Sequence, residues 1–290
     1  MLASRASSTA AGGESADRWK KVESLTDHPR SLTYNQWLPL SAPLSAFVPM
    51  PRFYLDQTLE LGMQCELPED LSHHIAVLRL KVGDTVTLFN GRGGEFAATL
   101  SVMEKRRVSA HIKTFDAREA EPGHSLTLAQ ALPEGTKMDW VIEKAVELGV
   151  TSIQPLMTAR SVVRLSDERA GKKLGHWRAI VAAAAAQCGR NRLPSVAMPK
   201  PFSSWIDQHD LHPRILLSPR SQQSLTDWAR HRAPQAITII IGPEGGLNEM
   251  EEQSAISRGA ICLSMGSRVL RTETAGITAM AALHSLWGEL

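Results

Sequence analysis

The sequence predicts an α/β protein in which a small β unit precedes a larger domain built on a parallel sheet, and three observations carry that prediction. Short alternating segments recur about every ten residues across 50–121, the spacing of a compact barrel. From Leu126 onward, all-apolar stretches of strand length alternate with stretches of helical period, as in a parallel sheet covered on both faces. Finally, Ile239-Ile240-Ile241 runs straight into Gly242-Pro243-Glu244-Gly245-Gly246 and then into a helix-like segment. Ligands of such sheets bind beyond the carboxyl ends of the strands, where this junction would lie.

The elements follow in order. Residues 71–80 read as a brief helix or turn, because Leu71, Ile75 and Leu78 share one face. Residues 82–89 alternate as a strand, Asn90-Gly91-Arg92-Gly93-Gly94 supplies a hairpin turn, and 95–102 returns. Residues 107–115 form another strand. In the second domain 126–131 is a strand, and then Met138, Val141, Ile142, Ala145 and Leu148 line one face of a helix. That helix stops at Gly149, as helices with a left-handed cap do. Residues 153–156 make the next strand, and a long helix is expected around 177–188, where an alanine run combines high propensity with a thin side-chain layer. Segments 215–218, 237–241 and 261–264 are short buried strands, with helical spacing in 221–232 and 247–258 between them. The chain closes with a helix over 273–287, N-capped by Thr272.

Bulk properties exclude several classes. With 43% apolar and 21% charged residues, the 290-residue chain has the composition of a globular protein of two ordinary domains. A formal net charge of +2 confines any nucleic-acid role to a local basic surface. Cys65, Cys188 and Cys262 are odd in number and form no CxxC pair, which argues against a disulfide framework or a zinc site and fits a reducing cytoplasm. The apolar run 179–186 is too short to cross a bilayer, so no membrane partner is expected. His73 and His74 are adjacent on a helix and point apart, so no metal is expected there. Residues 1–49 lack the apolar core of a secretory signal, and Glu14, Asp17, Glu23 and Asp27 are unusual in a transit peptide. They read as a disordered extension, or as a start placed upstream of Met50. Domains are therefore expected at 50–122 and 123–290.

The glycine loop poses a chemical question. Glycines let a backbone approach a ligand closely, yet Glu244 would repel a phosphate, and neither the Walker nor the dinucleotide spacing is present. Three strand ends share this position: Leu217-Ser218-Pro219-Arg220, the Gly242 loop, and Met265-Gly266-Ser267-Arg268-Val269-Leu270-Arg271-Thr272-Glu273-Thr274-Ala275. That last stretch, with the glycine loop, the 138–150 segment, 153–156, 160–163, 177–180 and 187–190, resembles the RsmE family. These are uridine N3-methyltransferases of small-subunit (16S) ribosomal RNA, of the SPOUT class. Residues 73–84 and 89–94 carry the likeness into the first domain, so it spans Met50 to the C-terminus.

The resemblance implies more than periodicity can. It implies a PUA-like RNA-binding barrel, a SPOUT domain with a C-terminal trefoil knot, a homodimer, and S-adenosylmethionine as the methyl donor. That cofactor has no phosphate and carries a sulfonium cation, which would suit Glu244. By position, the cofactor would meet Leu217, Ser218, Gly242, Glu244, Gly245, Gly246, Met265, Gly266, Val269 and Leu270. Family members have Leu where Met265 stands, a swap that keeps an apolar wall. Arg190, Arg271 and Glu273 are the catalytic candidates: a guanidinium to stabilise the anion at N3 and a carboxylate to accept its proton. Arg52, Arg79, Arg160, Arg164 and Arg192 are candidates for RNA contact, the expected partner being small-subunit ribosomal RNA within the 30S particle. The Lys105-Arg106-Arg107 run reads as a solvated sheet edge. Two alternatives stay open: a SPOUT enzyme modifying another RNA site, and a non-catalytic assembly factor that binds RNA.

Overall fold

The computed structural model describes residues 50–104, 107–210 and 212–289. The 1–49 extension, and Lys105 and Arg106 of the basic run, lie outside them. Strands β1 (Arg52–Tyr54) and β2 (Gln64–Leu67) precede helix α1 (Glu69–Val77), and β3 (Thr85–Phe89), β4 (Glu95–Glu104) and β5 (Arg107–Asp116) follow it. These five strands form one sheet in the order β1-β3-β4-β5-β2. The β4–β5 pairing shifts register between Ala97 and Ala98 and again between Leu100 and Val102, irregularities of the kind that bend a sheet. Val86, Leu88, Ala98, Leu100, Ala110 and Ile112 alternate into its core, closed by Ile75 of α1. Strands β1 and β2 escape sequence reading because three or four residues are too few to show alternation.

The second sheet is parallel throughout its described pairings. It begins with β6 (Leu126–Ala131), α2 (Lys137–Glu147), β7 (Ser152–Met157) and α3 (Asp167–Cys188). Next come β8 (Ser195–Val196), β9 (Lys200–Pro201), α4 (Phe202–Ile206), β10 (Arg214–Leu217), α5 (Leu225–Arg230) and β11 (Ile237–Ile241). It ends with α6 (Glu249–Ser257), β12 (Ile261–Leu263) and α7 (Thr272–Trp287). The strand order is β12-β10-β11-β6-β7-β8, with β9 also on β7. All five residues of β11 are buried, and successive ones enter different layers. Ile239 and Ile241 pack with α2, α3 and α7, whereas Ile240 packs with α4 and α6. This two-sided burial explains the unbroken isoleucine run.

Two expectations need correction. Helix α3 starts ten residues before the expected 177, at Asp167, because Ala170, Leu174, Trp177, Val181 and Ala184 continue one buried stripe. Thr272 does not cap α7; Arg271 holds the cap position, and Thr272 is the first helical residue. Its hydroxyl instead donates to the Gly242 carbonyl and accepts from Gln130 Nε2 at 3.0 Å. Helix α7 can lie that close because a Cβ on Gly276 would sit only 3.0 Å from Leu128 Cδ1.

The first sheet is fastened to the C-terminal end of α3. Asn191 donates to the Arg118 carbonyl at 2.8 Å, Gly93 N–H donates to the Asn191 carbonyl at 3.1 Å, and Arg118 reaches the Gly189 carbonyl at 3.0 Å. Glu95 takes both Arg52 and Arg118. Burial alone would raise its pKa, but the hydrogen bonds from Arg118 and Arg52 win and hold it at about 2.

Near the start of β6, His124 and His284 stack at 5.1 Å beside Trp287, and none of their four ring nitrogens has a hydrogen-bond partner. Burial lowers both pKa values, and His124 adds to the effect on His284; the Glu289 carboxylate, 3.7 Å from His124, and for His284 the Leu148 main chain, pull the other way without reversing it. An unfolded chain then takes up protons near pH ~6.5 that the folded chain refuses, so stability falls as pH drops below that value. We expect the urea midpoint to fall between about pH 7.5 and about pH 5.5, and to fall less in His284→Leu. Equal slopes in the two proteins would exclude the imidazole as the cause.

Candidate functional site

The carboxyl ends of β10, β11 and β12 lie side by side, and the loops leaving them enclose a cavity of ≈ 540 Å³. That is the size of an ordinary small-molecule pocket. Leu217, Ile241, Met265, Leu270 and Ala275 supply apolar wall, and the main chain of Gly242 to Gly246 forms one side. A Cβ on Gly242 would meet Leu247 N at 3.0 Å, so only glycine lets the loop close on itself there. The Gly246 N–H donates to the Pro243 carbonyl at 2.8 Å, and Gly246 has φ +66°.

All ten residues expected around a cofactor line this cavity: Leu217, Ser218, Gly242, Glu244, Gly245, Gly246, Met265, Gly266, Val269 and Leu270. Arg271 and Glu273 line it as well. The side chain of Arg271 is 81% exposed, that of Glu273 only 16%, and their closest approach is 3.9 Å. Glu273 Oε2 is buried with no hydrogen-bond partner. A carboxylate oxygen in that state is costly unless something in the cavity meets it.

Arg190 is the clearest correction. It is 3% exposed and lies outside the cavity, where its Nη1 donates to the Val146 and Val150 carbonyls at 2.9 Å and the rest of the guanidinium grips Glu121. It ties the end of α2 to α3, as an arginine at a carbonyl-rich helix terminus can. Arg52 is corrected in the same way. Its side chain is 14% exposed, pairs with Glu95, donates to Asn191 Oδ1 at 2.7 Å and covers the Phe89 ring at 5.2 Å. Arg79, Arg164 and Arg192 are on the surface, Arg192 against Glu119 at 3.4 Å. Arg160 sits at the cavity itself, bonded to the glycine loop.

Glu244 also departs from expectation. Its Oε1 accepts from Lys137 Nζ at 2.6 Å and from the Glu134 N–H at 3.0 Å. Burial pushes its pKa up, and these two donors more than reverse that. Its charge is therefore balanced by Lys137 rather than left for a cationic ligand. Lys137 was missed in the sequence, as was Glu252, which pairs in the cavity wall at 2.6 Å with Arg220 of the first strand end. The missed signal was strand order: β6 neighbours β11, so the segment after β6 shares the rim.

A family model described as RNA methyltransferase domain matches residues 120–284, and one described as RNA methyltransferase PUA domain matches 67–113. Ribosomal RNA small subunit methyltransferase E of Rickettsia conorii is 32% identical over 245 residues, 81% of this chain and 95% of that protein. The chain belongs to the RsmE family. The RsmE protein of Buchnera aphidicola from Acyrthosiphon pisum is 30% identical over 83% of this chain and 95% of its own length. Among solved structures, RsmE of Neisseria gonorrhoeae bound to S-adenosyl methionine is 39% identical, with TM-score 0.76 over 82% of this chain and 98% of that one. A putative methyltransferase of Legionella pneumophila in complex with the same cofactor is 35% identical, with TM-score 0.78 over 82% and 98%. The SPOUT-type parallel α/β fold with a PUA-like unit, expected from the RsmE resemblance, is the fold observed.

The placement of Arg190 can be checked by stability. Arg190→Met leaves Glu121 and two carbonyls without their donor, and removing one member of a buried pair costs about 3–5 kcal/mol. We expect its denaturation midpoint to drop accordingly, while Glu273→Gln unfolds near the wild-type midpoint. A stable Arg190→Met protein would contradict the structural role.

Proposed function

We propose that this chain transfers the methyl group of S-adenosylmethionine to N3 of a uridine in small-subunit (16S) ribosomal RNA. The observation that carries the reading is the cavity formed by three neighbouring loops, in a chain 39% identical to an RsmE protein solved with that cofactor. The residues fit the group: apolar walls for its adenine portion, and a glycine cradle that a Cβ at Gly242 would fill. Bound there, the cofactor supplies an electrophilic methyl group.

The chain's own residues then have two tasks. Glu273, with its unpartnered buried oxygen, accepts the N3 proton directly or through water. Arg271, exposed at the rim, stabilises the negative charge that spreads over the uracil carbonyls as that proton leaves. The uridine must be unpaired or splayed out to reach them. Residues 50–122 act as the RNA-binding unit and 123–290 as the methyltransferase domain, knotted and dimeric, working in the cytoplasm on the 30S particle. Arg79, Arg164 and Arg192 are the exposed candidates for phosphate contact.

The test is methyl transfer to undermodified 30S particles, with the product nucleoside identified. We expect 3-methyluridine, and a kcat lowered about 10²–10⁴-fold in Glu273→Gln with little change in cofactor affinity. A methylated ribose or a different base would overturn the N3 assignment. Absence of cofactor binding in calorimetry would favour an assembly factor.

A further inference from the structure

Arg160 was expected on RNA, yet its contacts point elsewhere. Its Nη1 donates to the Gly245 carbonyl at 2.8 Å and approaches the Leu247 carbonyl at 3.5 Å. Its aliphatic stem lies across Gly245, where a Cβ would come within 3.4 Å of Arg160 Cβ and Cδ. The turn that presents it is itself built. Thr158 and Ser161 are both buried and share a hydroxyl–hydroxyl bond of 2.9 Å, and Ser161 Oγ also accepts from the Thr158 N–H at 3.2 Å. One residue on, the Ala159 N–H donates to Glu251 Oε1 at 2.7 Å, while Glu251 Oε2 accepts from the Asn248 N–H at 3.0 Å in the capping box of α6. The turn after β7 is thus stapled to the helix that follows the glycine loop.

The consequence falls on one peptide unit. The Gly245 carbonyl and the Gly246 N–H belong to the same peptide plane; Arg160 holds the oxygen and the Pro243 carbonyl holds the hydrogen. Peptides between glycines rotate with little steric resistance, so such a plane needs external pins. Gly242 has Thr272 on its carbonyl, and Glu244 has Lys137 and the Glu134 N–H on its side chain. Gly245 has Arg160.

We propose that Arg160 is a positioning residue for the cofactor, which fixes the Gly245–Gly246 peptide in the binding-competent orientation. This rests on the reading of the cavity as an S-adenosylmethionine site. If Arg160 is lost, the competent loop becomes a minor population, and apparent affinity falls by the fraction that remains; about one tenth competent means a tenfold weaker Kd.

The experiment is calorimetric titration of S-adenosylmethionine into the full chain with no RNA present, for wild type, Arg160→Met, Arg160→Lys and Arg230→Met. Methionine keeps the apolar stem and removes the donors, and lysine keeps the charge but not the fork. Arg230 is the surface control, since its side chain is 61% exposed and pairs with Asp227 of its own helix, away from the cavity. We expect Arg160→Met to bind about tenfold more weakly, Arg160→Lys to recover part of the loss, and Arg230→Met to match wild type. In steady-state assays Arg160→Met should raise KM for the cofactor about tenfold and leave kcat at saturation near wild type, and its melting temperature should not move. If Arg160→Met binds the cofactor as wild type does, or loses only RNA affinity, the inference is overturned alone. If the wild-type chain takes up no cofactor, the reading of the cavity falls and the inference falls with it.

Discussion

Parallel pairing decides which parts of this chain can meet. Strand β10 pairs with both β11 and β12, and β11 pairs in turn with β6. Because the four run in one direction, their carboxyl ends share a rim, and segments distant in sequence become neighbours there. Lys137 and Glu244 bond across that rim, as do Gln130 and Thr272. The apolar side of the arrangement is equally strict. Each isoleucine of β11 serves one of two layers, so β11 can hold its loop in place only while both layers are packed. The glycine loop has no rigidity of its own; it borrows it from this frame and from the side chains that bond its carbonyls.

Much of this was legible in the residues. The periods of β6, β11, α2 and α7 are strong because each element buries a continuous face, and the carbonyl-rich loops announced themselves through glycine. Strand order was not legible. Nothing local says that β6 lies beside β11, and so Lys137 could not be placed at the cavity before the sheet was seen. Thr272 was misread for a related reason. A Thr before a helical segment is the usual mark of a cap, but a tertiary partner, the Gly242 carbonyl, took its hydroxyl.

The arginines divide into two populations that sequence cannot separate. Arg190 and Arg214 are 3% and 6% exposed and donate to main-chain carbonyls near helix ends, each with an acidic partner as well. The planar guanidinium has five donors in a fixed fork, which suits a cluster of orphan carbonyls better than any other side chain. Arg268 and Arg271 are exposed at the cavity mouth. A run of basic residues in the sequence gives the same impression in both cases, since the deciding quantity is how many carbonyls lie within reach, and those come from distant segments.

The fastening of the first sheet to the end of α3 has a consequence for target choice. Asn191, Gly93, Arg118 and Glu95 join the two sheets through main-chain and charged contacts drawn from both. On the proposed function, an RNA gripped by the small sheet would meet the pocket at a set separation. Selection of one nucleotide among many identical ones would then work as measurement, like a gauge block, with the modified base set by its distance from the gripped segment.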